Sequence, residues 1–310
     1  MSYFSPFPYF QKLKLTDKKE YLEYYAGFDA YCDFSINNLW AWFNMHDTLS
    51  VAELHGNLVF SLDNPFDHDK HDFSVLGKNK PEHTLHRILR WQKSMGLPAK
   101  LIMVPEIMVE TLHPHSKSLL ILADRDNSDY VCEVERSYDA HGSIYTKYRN
   151  AVSNFTRNNA EITIKEIDLS KVDRIEKMRL INTLHRWDST YRQSEQSRIE
   201  GASIDRCLNY SSDLLPVQCL QIYVGNELAS FILYHYPPQK DYALGNYLRC
   251  NYEFHNIYDF AFSQFIKILH DRGITYANIE QDLGIPGIRK HKEKSNPAFF
   301  LNRYTVTLPY

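Results

Sequence analysis

The sequence predicts an α+β protein built from two copies of one unit, each a mixed sheet flanked by helices. Length and repetition carry this reading. The chain has 310 residues, comfortable for two domains. Two hairpin signals, His55-Gly56-Asn57 and Gly225-Asn226, each sit inside a similar succession of strand, turn, strand, helix and strand, with one more strand before the helix in the second. The helices open near Glu82 and Asn256, and the closing strands near Lys100 and Tyr276, so the landmarks recur at a nearly constant interval. Asn158–Ala160 reads as the seam, which divides the chain into units 1–158 and 159–310.

In the first unit, Thr16-Asp17 is placed to cap a helix reaching about Ala26. Asn37–Asn44 carries Trp40 and Trp42 and is expected to pack into a core. Thr48–Leu54 and Leu58–Leu62 read as hairpin strands. Asp67–Asp72, DHDKHD, reads as a solvated polar loop; its His and Asp residues are metal-ligand types but match no fixed ligand spacing. Leu85, Ile88, Leu89 and Trp91 give Glu82–Met95 one apolar helical face. Strands are predicted at Lys100–Val104, Leu119–Ala123 and Tyr130–Val134. Tyr145, Tyr148, Val152 and Phe155 recur at helical spacing within Ser143–Asn159.

The second unit opens with a strand, Glu161–Glu166, then a long helix over about Lys171–Thr190 and a second near Ser203–Tyr210. Val217–Val224 and Leu228–Tyr236 form a hairpin, and Tyr242–Cys250 is a third strand. Asn256 and Asp259 are spaced like a capping box for the next helix, which Gly273 ends. Strands follow at Tyr276–Glu280 and Arg303–Leu308. Hairpin, third strand, capped helix and closing strand is the order of the GNAT acyltransferase fold.

Composition narrows the class. Hydrophobic residues make up 44% and charged residues 24%, which is ordinary for a globular chain. Tyr and Phe, at 22 and 17, suit strands and buried sheets. A net charge of −3 leaves any RNA contact to a local basic patch. No apolar run is long enough to span a membrane, and MSYFSPFPYFQKLK lacks the form of a secretory signal. Cys32, Cys132, Cys207, Cys219 and Cys250 are odd in number and lack C-x-x-C spacing, so they read as reduced thiols of a cytoplasmic protein. None is singled out as a nucleophile.

The most informative stretch is Tyr276–Tyr304. A strand bearing Glu280 runs into a turn at Asp282-Leu283-Gly284, then into a short helix over about Pro286–Ser295. That helix holds Arg289, Lys290, Lys292 and Lys294 against one carboxylate, Glu293. Lys290 and Lys294 are four apart and repel, so local stability does not account for them. The helix reads either as a solvated surface or as the seat of an anionic ligand.

EQDLGIPGIRKHK-x4-P in this stretch resembles EDLG-x-x-GLRK-x-K-x4-P, near the C-terminus of proteins similar to the C-terminal domain of phosphatidylglycerol lysyltransferases. DRDNSDYV at Asp124–Val131 resembles the family's DRDN-x-DYV, and YTKYRNAVSNF at Tyr145–Phe155 its Y-x-x-KRN-x-x-x-x-F. Tyr25–Trp42 is similar to its opening segment, so the resemblance covers nearly the whole chain. Tyr148 departs from the usual Lys, and Lys294-Ser295 from Ser-Tyr. The resemblance implies two tandem GNAT-like units, as in the Fem aminoacyltransferases, and an aminoacyl-tRNA donor.

In such a fold the reaction takes place where two central strands splay, here expected between Leu228–Tyr236 and Tyr242–Cys250. An amine or hydroxyl attacks an acyl carbonyl, with oxyanion stabilisation and a proton relay. CoA-dependent enzymes cradle pyrophosphate on a Gly-rich loop before the capped helix. The loop here, Asn251–Asn256, has no glycine, which argues against acetyl-CoA. The donor's phosphates would meet Arg289, Lys290 and Lys292, and Asp282 would bind its amino group or take the acceptor's proton. Glu280 and Tyr247 are further catalytic candidates. Arg289 and Lys292 share a helix face and are expected to line one cleft with Asp282, closed by the motif pair Arg149 and Asn150. Those two serve equally as partners for hydrogen bonds between the units. No metal is expected. Three classes remain open: an aminoacyl-tRNA-dependent transferase to a lipid, peptide or other small acceptor, a CoA-dependent N-acyltransferase, and a GNAT pair kept as a binding module.

Overall fold

Four antiparallel strands followed by a helix and a further strand occur twice along the chain. The computed structural model describes residues 3–44, 47–64, 71–112, 118–191 and 195–309. Contacts divide it into two compact units, one of residues 1–129, 281–284 and 300–310, the other of residues 130–280 and 285–299.

The first unit begins β1 (Gln11–Lys12), α1 (Lys18–Tyr25), α2 (Ile36–Trp42), β2 (Ser50–Leu54), β3 (Asn57–Asp63) and β4 (His71–Leu76). It continues α3 (Pro81–Ser94), β5 (Lys100–Pro105), α4 (Glu106–Glu110) and β6 (Leu120–Ala123). Strands β1 to β4 form one antiparallel sheet in chain order. The last strand of the chain, β14 (Arg303–Thr307), lies antiparallel between β5 and β6. Leu85, Ile88 and Leu89 of α3 pack with Val59, Val75, Leu101 and Val306 in its core.

The second unit runs β7 (Asp129–Glu133), α5 (Val134–Asp139), α6 (Thr146–Asn158), β8 (Ile162–Asp168), α7 (Arg174–Tyr191) and α8 (Glu195–Tyr210). Then come β9 (Gln218–Val224), β10 (Glu227–His235), β11 (Tyr242–Cys250), α9 (Ile257–Asp271), β12 (Tyr276–Asn278), α10 (Pro286–Lys294) and β13 (Phe299–Leu301). Its sheet has the order β13-β7-β12-β11-β10-β9-β8. Strands β8 to β11 are antiparallel, α9 crosses over, and β12 returns parallel to β11. Phe260, Phe262, Phe265 and Leu269 of α9 bury one sheet face with Tyr145, Tyr148 and Phe155 around α6.

The repeated order is therefore present: strand, two helices, three antiparallel strands, helix, strand. The boundary differs from the one expected. It lies at Asp129–Tyr130, because α6 packs its aromatic face into the core around α9, and residues 281–284 and 300–310 return to the first unit. Strand β4 was not expected; it begins at His71 and Asp72, which were read as the end of the polar loop. The rest of that segment, residues 65–70, lies outside the described residues.

Two caps also differ. Asn256 is left-handed (φ 65°) and makes no side-chain cap, and Asp259 pairs with Lys294 at 2.7 Å. The Asp17 carboxylate accepts from the Lys14 backbone N–H at 2.9 Å and tightens the turn before α1. Helix α7 starts later than expected because the Asp173 carboxylate accepts the Glu176 N–H at 2.9 Å.

Candidate active site

The opening in the second sheet lies between β11 and β12. Strands β10 and β11, where it was expected, stay paired from Ser230↔Cys250 to His235↔Leu244. The parallel pair β11–β12 holds only over Tyr242↔Tyr276, Ala243↔Ala277 and Leu244↔Asn278. Beyond it, β11 runs on to Cys250 while the other chain turns away through Glu280. At this point β11 bulges. Leu233 faces Tyr247 and Tyr234 faces Gly245, so Asn246 is the extra residue. Gly245 packs closely here: a Cβ would meet the Phe265 ring at 3.2 Å.

Asn246 joins two partners. Its Oδ1 lies 2.7 Å from His235 Nδ1, and its Nδ2 donates to Glu280 Oε1 at 2.9 Å. An Asn oxygen only accepts, so His235 carries its proton on Nδ1 and presents a lone pair at Nε2. Nε2 is buried and has no hydrogen-bond partner among the described residues. Burial pushes the His235 pKa down to about 4, against the opposing pull of the Asn246 bond. The ring is neutral at pH 7.

Glu280 has a left-handed backbone (φ 62°), a conformation that costs a non-glycine residue about 1 kcal/mol or more. It is held from both sides. The Glu280 N–H donates to Asn278 Oδ1 at 2.8 Å, and its carbonyl accepts from Tyr130 N–H at 3.1 Å. The same face of β11 carries Tyr247 and Arg249. Tyr247 Oη lies 3.0 Å from Ser203 Oγ of α8. Arg249 reaches Asp188 of α7 at 3.0 Å and Glu200 of α8 at 3.2 Å. His235, Asn246, Tyr247, Arg249 and Glu280 are each less than a tenth exposed. Burial pushes the Cys207 thiol up to about 12, with the Glu280 charge adding to it, so Cys207 is no thiolate nucleophile at neutral pH. Cys132 rises to about 12 for the same first reason.

This face offers a carboxylate, a neutral imidazole acceptor, a phenol and a guanidinium between two carboxylates. It can hold and relay protons for an attacking amine or hydroxyl. Glu280 and Tyr247 had been singled out in the sequence; His235, Asn246, Arg249, Asp188 and Glu200 had not. Their signal was a His, an Asn and an Arg inside ASFILYH and YALGNYLRC, runs that otherwise read as apolar strands.

Each of the other expected residues has surroundings of its own. Asp282 belongs to the first unit and is fully buried, 3.3 Å from Arg125 Nη1, with its Oδ1 accepting from Gly284 N–H at 2.8 Å. Arg125 lies over the Phe300 ring at 4.3 Å, and Leu283 N–H donates to Asp126 carbonyl at 2.8 Å. The DRDN and DLG motifs thus meet each other and fix a turn. Arg289, Lys290 and Lys292 sit on α10 of the second unit, so the division does not join them to Asp282 in one unit. Lys292 donates to the Ile279 carbonyl and lies over the Tyr130 ring at 5.9 Å, tying α10 beside Glu280. Arg289 is half-buried and Lys290 exposed. Arg149 donates to the Ala140 and Gly142 carbonyls and closes the loop before its own helix, and Asn150 is exposed.

The low pKa of His235 gives a testable pH dependence. The unfolded chain takes up this proton near pH 6.5, whereas the native protein resists until about 4. The unfolded state then binds more protons across this window, so stability falls as pH drops through it. Urea unfolding at pH 7 and pH 4 should show the parent losing about 3 kcal/mol more than His235→Gln. Equal losses would mean that His235 titrates normally.

These elements define the class of the protein: α+β, with two tandem GNAT-like units. The chain belongs to the family described as phosphatidylglycerol lysyltransferase, C-terminal, whose model matches residues 75–307. A conserved protein of unknown function from Bacteroides thetaiotaomicron is 17% identical and covers 97% of this chain and 99% of its own, with a TM-score of 0.81. The C-terminal domain of a putative lysylphosphatidylglycerol synthetase from Agrobacterium fabrum is 12% identical, with coverage of 95% and 92% and a TM-score of 0.63. L-PGS from Bacillus licheniformis is 14% identical, with coverage of 99% and 94% and a TM-score of 0.61. At these identities the likeness is one of fold. Among curated proteins none matches the chain.

Proposed function

We propose that the protein transfers an aminoacyl group from aminoacyl-tRNA to a small acceptor, with the reaction at the β11–β12 opening. Glu280 takes the proton of the attacking acceptor group as it adds to the ester carbonyl. The tRNA 3′ oxygen leaves and takes that proton from the Glu280 carboxyl, which returns to the carboxylate. Tyr247 and His235 orient the reacting groups. Arg289 and Lys290 on α10 meet donor phosphates, while Lys292 keeps that helix beside Glu280. Membership in a lysyltransferase family supports an aminoacyl group as cargo.

The observation that carries the choice of donor is the segment entering α9. Three of its amides are engaged: Glu253 N–H donates to Asn251 Oδ1, Phe254 N–H to the Asn251 carbonyl and Ile257 N–H to the Phe254 carbonyl. The segment also has no glycine to bring a run of amides close to a pyrophosphate. Calorimetry is expected to give no micromolar affinity for acetyl-CoA or CoA. A panel of aminoacyl-tRNAs is expected to bind, with affinity that falls as salt rises and a smaller salt slope in Arg289→Ala. Micromolar CoA affinity without aminoacyl-tRNA binding would reverse this reading in favour of a CoA-dependent acyltransferase.

A further inference from the structure

The backbone bonds to Asn278 and Tyr130 fix where Glu280 stands, but they leave its side chain free to rotate. Asn246 sets the side chain, since its Nδ2 donates to Oε1 at 2.9 Å. An ionised carboxylate only accepts, so the amide nitrogen of Asn246 must face Glu280 and the amide oxygen must face His235. The 2.7 Å contact on that side then requires the imidazole proton on Nδ1. Turning the amide over would set its oxygen against the carboxylate, acceptor against acceptor, in the interior. The three side chains therefore orient one another in a single order, from His235 to Asn246 to Glu280.

The sheet supplies this order through an irregularity. Asn246 is the extra residue of the β11 bulge, between Tyr247 opposite Leu233 and Gly245 opposite Tyr234. A bulge re-aims a side chain, and here it lets one residue of β11 reach both β10 and the turn beyond β12. All three side chains are buried, where a hydrogen bond is stronger than in water and a lost one is not replaced. Tyr247 and Cys207 also feel the Glu280 charge, and burial keeps both in their neutral forms. They bring no charge that could orient the carboxylate.

We infer that His235 is a positioning residue for Glu280 and acts through the Asn246 amide. Its Nδ1–H fixes the amide, and the amide N–H holds Oε1, so that Glu280 is presented ionised and in one rotamer. No proton passes along the chain, because an amide cannot relay one between these groups. Glu280 still gives the proton it takes to the leaving oxygen. This rests on the reading of Glu280 as the base.

The first test needs no substrate. Nitrogen-15 spectra of the parent at pH 7, with the His235 signals identified by their loss in His235→Asn, should show Nδ1 protonated and Nε2 bare. The opposite tautomer would overturn the inference. The second test is the pH profile of single-turnover transfer, corrected for the folded fraction by circular dichroism. His235→Leu and Asn246→Ala should each slow transfer about tenfold or more at pH 7, the worth of one hydrogen bond to a charged group. Their acid limbs should also move to higher pH, because the bond to Oε1 favours the ionised form. In His235→Asn the amide nitrogen is bonded to Cγ, as Nδ1 is in histidine, so this variant should recover most of the loss. Acid limbs that stay in place, or a His235→Asn variant as slow as His235→Leu, would overturn the inference. Glu280→Gln tells the two failures apart. If it transfers at the parental rate, the base reading falls and the inference falls with it. If it is slow while the other variants keep the parental profile, only the inference falls.

Discussion

Glu280→Gln should lower single-turnover aminoacyl transfer by about 10²–10⁴-fold, the usual contribution of a general base. The substitution keeps an oxygen to accept from Asn246 Nδ2, which now bonds Glu280 Oε1 at 2.9 Å, and it keeps the backbone bonds that fix the left-handed turn. The fold and the binding of aminoacyl-tRNA should therefore change little. A variant that transfers at the parental rate would remove Glu280 from the chemistry. Normal binding with slow transfer separates loss of the base from loss of the donor site. Asp282→Asn is the matching control. Its carboxylate is committed to Arg125 and Gly284, so its loss should register in unfolding more than in the transfer step of the folded fraction.

The largest effect on stability is expected at Arg303. This residue is fully buried in the first unit, with Nη2 3.0 Å from Asp129, Nε bonded to Asp33, and Nη1 donating to the Leu301 carbonyl at 3.1 Å. Cys32 N–H also donates to Asp129 at 2.9 Å, and Gln281 Nε2 to Asp33 at 2.9 Å. Burial pushes the Asp33 pKa up, opposed by the Arg303 charge. Arg303→Met would strand two carboxylates in the interior and should cost about 3–5 kcal/mol in urea unfolding. Adding Asp33→Asn and Asp129→Asn removes the uncompensated charges and should recover part of that loss. A single variant as stable as the parent would show that the arginine makes no net contribution.

Much of the second unit was legible because its signals are local. Hairpin turns, period and glycine placed β9, β10, β11 and α9 to within a few residues of their observed bounds. The membership of each strand was less legible, because it depends on distant partners. Nothing in Arg303–Thr307 says that it pairs with β5 and β6, about two hundred residues earlier in the chain. The site divides in the same way. Glu280 drew notice as an acid at a strand end. Asn246 and His235 matter through a bulge and a long-range bond that only register reveals. The basic run on α10 attracted attention by its charge and its motif, yet Lys292 and Lys294 are held by Ile279 and Asp259.

The placement of β14 bears on how the molecule is made. Its residues reach the ribosome exit after every other strand, yet they supply the middle of a sheet whose flanking strands were synthesised first. Until then β5 and β6 have no shared neighbour, and their edges stay open to wrong pairing. The N-terminal unit therefore cannot mature during translation as an independent bead. The second unit, whose sheet strands from β8 to β12 follow one another in the chain, is free to condense first. A fragment ending at Asp129 would lack the strand that joins its own sheet, so the first unit is not severable at that point of the sequence.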